Sequence, residues 1–529
     1  MKLRIPRKAQ YNIAEIVFFG VMLFVVAIPI TSGNWFVTED GASHSYNAGV
    51  LYNLLSGNDD FLGQYYKINT VPSPNWLGHL LLAYTGHWFG VAAGAKILHL
   101  TYIVGFALAF RQLMFTVSPQ PRLMSYLVFP LIYNEVFLFG FYNYCLGMVF
   151  MLVVMNSWLR FVTNPSWWRA WWLLIALTLL WFSHQLTWAF AGLFVFCHLL
   201  YLLITQKQFF SVLKKGIVAL AISLPSLICL FIYMANGGGG SGMHFVTLSK
   251  RWSDFSDGSF FRIYFGQEDA LGICFLLLLA ALAVAGAVRH YLLRRSYVTD
   301  LSNQKLFWLI IFVLSFLIML FMPEAIGNGG VIGIRVVWIA IVFLMILVAQ
   351  FRLSSRLGAA AGAVSVLLGV LHIAYFKPSL LDYNLDAHAA RDAGKYIRDK
   401  STVLVLPFTY KWLHLHIGQY AIAGREVVLL DNYEAQHNYF PIEWNYEKLP
   451  HNYQLASLSW PAVTCAWRWP EMKNKPAKQA DYIMIVGDLN NEGTGDPVCR
   501  TKISCAMDSL DYRAIFKRNE ITLYEYMPD

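Results

Sequence analysis

Two adjacent carboxylates, Glu39 and Asp40, stand just beyond the first long apolar run, in the stretch Thr38-Glu39-Asp40-Gly41-Ala42-Ser43-His44-Ser45-Tyr46-Asn47. Ionisable groups near a membrane boundary are costly to place and are functional candidates by default. A carboxylate at the mouth of an external cavity suits a general base or a metal ligand. Gly41 permits a tight turn, and a helix starting there brings His44 and Tyr46 near Asp40. Thr38 or Asp40 also suits the N-cap of that helix, whose N-terminal dipole keeps a carboxylate ionised. A solvated loop marking the interface is the bland alternative.

Three further places hold polar groups that suit an anion. His184-Gln185 breaks a long apolar stretch at a position that suits a tight outer turn; a His there binds a phosphate or orients a base, or simply supplies turn polarity. Arg335 follows Gly329, Gly330 and Gly333 at the outer end of an apolar run. Backbone N–H groups freed by glycine, with an Arg fork, fit a phosphate or diphosphate; snorkelling to lipid headgroups is the other reading. Lys250, Arg251 and Arg262 either help hold an anionic donor or pair with Asp254 and Asp257. Glu135 is a possible second carboxylate. His79 and His87 read as structural. The run Gly237–Gly240 reads as a linker, since no phosphate-binding helix follows it.

The elements that must position these residues are mostly membrane helices. The chain is 57% hydrophobic and 13% charged, with mean hydropathy +0.49; a soluble domain carries about a quarter charged residues. The net charge of +9 lies in short loops between apolar runs, as the positive-inside rule places it, so nucleic acid is excluded as a partner. Residues 1–10 are basic, and the apolar run 13–30, interrupted only by Glu15, is too long for a cleaved signal and reads as a retained anchor. Spans are expected at 13–32, 95–112, 123–138, 143–160, 170–183, 187–205, 216–234, 270–288, 306–322, 333–350 and 358–376, about eleven at some 20 residues each. The run 76–93 either spans or lies as a partial helix at the outer surface. If it does not cross, Arg111, Arg122, Arg160, Arg169, Lys214, Lys215, Arg289, Arg352 and Arg356 all fall inside, and the acidic loops fall outside. The charge bias selects that topology. The loop 33–94, with a surface helix over 42–55, and the segment beyond 377 are then extracytoplasmic.

Residues 377–529 have ordinary composition. Residues 385–400 read as an amphipathic helix, and 402–407, 426–430, 482–486 and 521–526 as strands, which together suggest a small α/β domain. Cys465, Cys499 and Cys505 have no metal-ligand spacing; in an oxidising compartment they allow one disulfide.

With these residues placed, the chain resembles the GT-C superfamily of integral membrane glycosyltransferases, such as the protein O-mannosyltransferases and aminoarabinose transferases. The likeness rests on the residues from Thr38 to Asn47, on a long first outer loop and on a C-terminal outer domain. No Trp-Trp-Asp signature of the oligosaccharyltransferases stands in the C-terminal part. The resemblance implies an α-helical polytopic domain over 1–376 and a soluble extracytoplasmic α/β domain over 377–529. It implies transfer of a sugar from a polyprenyl-phosphate donor to a glycan, lipid or protein acceptor, with inversion. Asp40 would be the base, with Glu39 and His44 beside it, and Arg335, His184, Lys250 and Arg251 would hold the donor phosphate. A divalent metal, Mg or Mn, is a possible cofactor. A transporter or flippase of a lipid-linked glycan or other anion is the competing expectation, although no internal repeat supports it; a scaffold is the third. No Asn-x-Ser/Thr acceptor with x other than Pro occurs, which favours a bacterial inner membrane and periplasm over the endoplasmic reticulum.

Overall fold

The computed structural model describes residues 13–58, 60–206, 209–238, 240, 242–263, 268–293, 302–327, 329–447, 480–489 and 511–528. The basic N-terminal stretch, part of the Gly237–Gly240 run and the three C-terminal cysteines lie outside them. Eight helices among the described residues are long and apolar enough to cross a membrane: Ile13–Thr31, Val91–Val117, Tyr142–Thr163, Gln185–Thr205, Phe209–Ala235, Asp269–Arg289, Gln304–Phe321 and Ser355–Gly394. The chain is an integral membrane protein. Two of the expected spans form helices of 17 residues, Trp167–Ser183 and Ile332–Val348. The expected span 123–138 does not form one helix. It breaks into Pro121–Met124, the 3-10 turn Ser125–Leu131 and Glu135–Leu138. Pro130 removes a backbone donor there, and the Asn134 side chain accepts from the Phe137 amide at 3.0 Å, starting a new turn. The expected helix 385–400 is instead the end of Ser355–Gly394, which continues from the last span.

The chain divides into two compact units. The first comprises Met1–Pro29, Leu100–Phe137 and Tyr142–Lys377. Its core element is the helix Ile332–Val348, apolar apart from Arg335 in its first turn and buried along most of its length. The helix Phe209–Ala235 leaves a stripe that includes Phe210, Leu220 and Phe231 exposed, as a lipid-facing helix does. Glu15, the one interruption of the first apolar run, is matched by Arg111, whose Nη1 and Nη2 donate to its two oxygens at 2.8 and 2.7 Å. A lone carboxylate in an apolar run is expensive; a bidentate guanidinium offsets that cost.

The second unit comprises Ile30–His99, Leu138–Phe141 and Pro378–Asp529. The long first loop therefore packs with the C-terminal segment. A five-stranded sheet runs in the order Val428–Leu429, Thr402–Phe408, Tyr482–Gly487, Ile521–Tyr526, Tyr512–Arg518. Its first three strands are parallel and the last two pair antiparallel. Thr402–Phe408 is buried at every residue, so it reads as an uninterrupted apolar run rather than an alternation. A second ribbon pairs Tyr66–Ile68 with Ile442–Trp444, stitching loop to C-terminal segment. The helix Leu77–Phe89 has 13 residues, about 20 Å. That is short of the ~30 Å hydrocarbon core, and the helix packs on Gly41–Leu55 instead, where His87 stacks on Tyr52 at 3.8 Å.

Candidate active site

The helix Gly41–Leu55 begins immediately after Asp40, which takes the N-cap position but makes no side-chain capping hydrogen bond. Its carboxylate is left for other work. Two backbone bonds fix the approach to the helix: the Glu39 and Asp40 amides donate to the carbonyls of Leu138 and Phe139 at 2.9 and 3.1 Å. Gly140 follows with φ +83°, and a Cβ there would come within 2.9 Å of the Asp40 backbone nitrogen. Only glycine gives both the backbone turn and the room. Glu39 has its pKa raised well above the carboxylate range, by burial first and then by the charge of Asp40.

The helix is buried although its first turns are polar, because each polar side chain finds a partner. Ser43 Oγ donates to Glu434 Oε1 at 2.8 Å. Asn47 and Asn432 exchange hydrogen bonds of 3.1 and 2.7 Å. Tyr46 Oη donates to the Val427 carbonyl at 2.8 Å and accepts from the Leu429 amide at 3.0 Å. His44 Nδ1 lies 2.9 Å from Glu434 Oε1, and His79 Nε2 lies 2.7 Å from Oε2. Burial alone would raise the pKa of Glu434, but the charges and hydrogen bonds of His44 and His79 outweigh it and hold this carboxylate well below its usual range. For His44 burial pulls downward, and the Glu434 carboxylate more than compensates, so its pKa is raised.

Asp40 faces His416, with Nε2 3.5 Å from Oδ1; the Asp40 side chain is 16% exposed and that of His416 only 3%. Gln419 donates from Nε2 to His416 Nδ1 at 3.1 Å, so the ring proton sits on the nitrogen that faces Asp40. Burial, set against the charge of Asp40, lowers the pKa of His416 and keeps the ring neutral. Gln419 Nε2 also reaches Asp431 Oδ2 at 3.3 Å, and Asp431 Oδ1 accepts from the Val405 amide at 3.0 Å. Burial raises the pKa of Asp431 to about 7. Tyr433 stacks on His416 with ring centroids 5.0 Å apart. The result is an aspartate backed by a neutral, tautomer-fixed imidazole, an arrangement that can accept a proton from a hydroxyl.

Glu39, Asp40 and His44 thus come together in the second unit, and the other expected residues lie in the first. Arg335 is in the opening turn of Ile332–Val348. Tyr144 Oη donates to its carbonyl, and its guanidinium lies 6.0 Å from the centroid of the Tyr144 ring. The same ring meets His184 edge-on at 5.0 Å. His184 Nδ1 accepts from the Leu186 amide at 3.2 Å, which leaves Nε2 to carry the proton. Arg335 and His184 therefore share one aromatic platform. Lys250 and Arg251 sit on the helix Leu248–Ser256. Lys250 pairs with Asp254, whereas the buried Arg251 pairs with Glu324 and donates to the Met322 carbonyl at 3.1 Å. A Cβ at Gly333 would fall on the Arg251 guanidinium, so that glycine makes room for an internal cation.

Among the described residues, the cluster of three side chains able to hold a metal is His44, His79 and Glu434.

No family profile matches the chain, and no curated protein matches it in sequence. Solved structures match it in fold. Arabinofuranosyltransferase AftD from mycobacteria aligns over 99% of this chain and 40% of its own, with TM-score 0.54 and 11% identity. This chain has the fold of the GT-C membrane glycosyltransferases. ArnT from Cupriavidus metallidurans aligns at 11% identity in two states. Bound to undecaprenyl phosphate it covers 97% of this chain and 98% of its own, with TM-score 0.41. In the apo state it covers 97% of each, with TM-score 0.42.

Within this GT-C fold, sequence reasoning missed His416, Gln419, Asp431, Tyr433 and Glu434, and took His79 for packing alone. One signal was available. Asp431-Asn432-Tyr433-Glu434 begins one residue beyond the buried strand Val428–Leu429, and polar residues just past the carboxyl end of a parallel strand are where α/β sheets place ligands.

Proposed function

We propose that this chain is a membrane glycosyltransferase that moves a sugar from a polyprenyl-phosphate donor to an acceptor hydroxyl on the extracytoplasmic face, in a bacterial inner membrane. The acceptor oxygen forms a bond to C1 of the sugar while the C1–O bond to the phosphate breaks. The hydroxyl proton passes to Asp40 and the bonding pair leaves with the phosphate, so one displacement inverts the anomeric centre. Arg335 and His184 are assigned to the leaving phosphate, where a guanidinium and an imidazole N–H stabilise growing negative charge. Lys250 and Arg251, already matched by carboxylates, contribute field rather than contact. Glu39 and His44 position Asp40. The observation that carries this reading is the state of Asp40: at a helix N-terminus, uncommitted to capping, partly open, and faced by the N–H of a neutral imidazole.

Asp40→Asn keeps the shape and removes the base. In purified protein supplied with labelled polyprenyl-phosphate sugars, it should lower turnover by about 10²–10⁴ while the donor still raises the thermal midpoint. Arg335→Ala should lose that donor-induced shift. Retained turnover in the Asn variant would dismiss the assignment, and flux of an intact lipid-linked sugar with no new glycoside would identify a flippase instead.

A further inference from the structure

His44, His79 and Glu434 are brought together from three distant parts of the chain. His44 lies in the first turn of Gly41–Leu55, His79 near the start of Leu77–Phe89, and Glu434 opens the 3-10 turn Glu434–Gln436. They are 4%, 1% and 0% exposed. One nitrogen or oxygen from each lies within 4.8 Å of the others.

The outer nitrogens decide what this cluster is built for. His44 Nε2 stands 3.0 Å from the Gly140 carbonyl, and His79 Nδ1 stands 3.0 Å from the Asn75 carbonyl. The inner nitrogens, His44 Nδ1 and His79 Nε2, both point at the Glu434 carboxylate. An imidazole that binds a metal adopts this disposition: the far N–H is held by a carbonyl, which fixes the tautomer, and the near lone pair faces the ion.

We propose that His44, His79 and Glu434 form a site for one divalent transition metal of the zinc class. Two imidazoles and a carboxylate are a zinc donor set; magnesium and calcium prefer oxygen alone. With metal–ligand bonds of about 2.0–2.1 Å, tetrahedral neighbours stand ~3.3 Å apart. The present 2.7 and 2.9 Å separations open by about half an ångström when the ion enters. Three protein ligands leave the fourth position to water. The ion acts as a staple: it joins the two first-loop helices to the turn beyond Val428–Leu429, one helical turn from Asp40. The inference does not rest on a catalytic role for Asp40.

The test uses the full chain, purified in detergent without a polyhistidine tag from zinc-supplemented medium. Elemental analysis after desalting should find about one zinc per chain, falling to background in His79→Gln and in Glu434→Gln. A chelator should lower the thermal midpoint of the wild type, with zinc restoring it, and should leave His79→Gln unmoved. Should the variants fail to fold, X-ray absorption on the wild type decides, because the site requires a nitrogen and oxygen shell with imidazole scattering. Background zinc in the wild type, undiminished zinc in His79→Gln, or a sulfur shell from the cysteines would each overturn the proposal.

Discussion

Asp40 and His416 illustrate which kinds of residue a sequence exposes and which it hides. Asp40 is conspicuous because a carboxylate beside a membrane span has few cheap reasons to be there. His416 is inconspicuous: it lies 376 residues away in the chain, in a segment of ordinary composition, and gains its role only when Gln419 fixes its tautomer. Asp431 closes the same chain of contacts and carries a consequence for stability. An unfolded aspartate ionises near pH 4, whereas in the fold burial holds its proton up to about 7. Between those values the folded chain binds more protons than the unfolded one, so the contribution of Asp431 to stability falls as pH rises through that window. Asp431→Asn has no such proton to lose. The thermal midpoint of the wild type, measured relative to that variant, should therefore decline from about pH 5 to about pH 8; a pH-independent difference would remove the argument.

At the scale of elements, apolar length was legible and broken helices were not. The long apolar helices fall where runs of about 20 residues predict them, and the strands at Thr402–Phe408, Tyr482–Gly487 and Ile521–Tyr526 match their β-branched runs. The segment 123–138 has the composition of a span, but Pro130 and Asn134 cut it into short turns. Composition reports solvent preference, and the backbone hydrogen bonding that decides helix continuity is a separate matter. The helix Gly41–Leu55 shows the converse. Its opening turns look like a surface element, yet they are buried by polar contacts that only the folded chain supplies. Tyr46 is the clearest of these, because its hydroxyl bridges the Val427 carbonyl and the Leu429 amide. Tyr46→Phe preserves the ring and leaves two buried backbone groups without that partner. The expected cost is about 1–3 kcal/mol, read as a lowered thermal midpoint. An unchanged midpoint would mean that the docking of this helix on the strand is apolar in origin.

Over the whole molecule, the arrangement that sequence could not supply is the joining of residues 30–99 with the segment after 378 into one unit. The ribbon between Tyr66–Ile68 and Ile442–Trp444 and the Glu434 cluster depend on contacts hundreds of residues apart, for which local periodicity carries no information. The orientation proposed for the chain, by contrast, rests on charge alone. Arg160 and Arg169 flank the short connection 164–166 between two apolar helices, where Arg169 Nη1 donates to the carbonyls of Arg160 and Asn164 at 2.9 and 2.6 Å. Basic residues this close to span ends are retained on the cytoplasmic side. The loop around Ser56, which follows the first span and is bordered by Asp60, belongs on the opposite side if Leu77–Phe89 does not cross. Both Asn164 and Ser56 are exposed, so single cysteines there report sidedness directly in a background lacking the seven native ones. A membrane-impermeant thiol reagent applied to intact cells with a permeabilised outer envelope should label Ser56→Cys. Asn164→Cys should react only after the inner membrane is breached. Reversed labelling would put Asp40 on the cytoplasmic face, where an extracytoplasmic transfer from a lipid-linked sugar has no place for it.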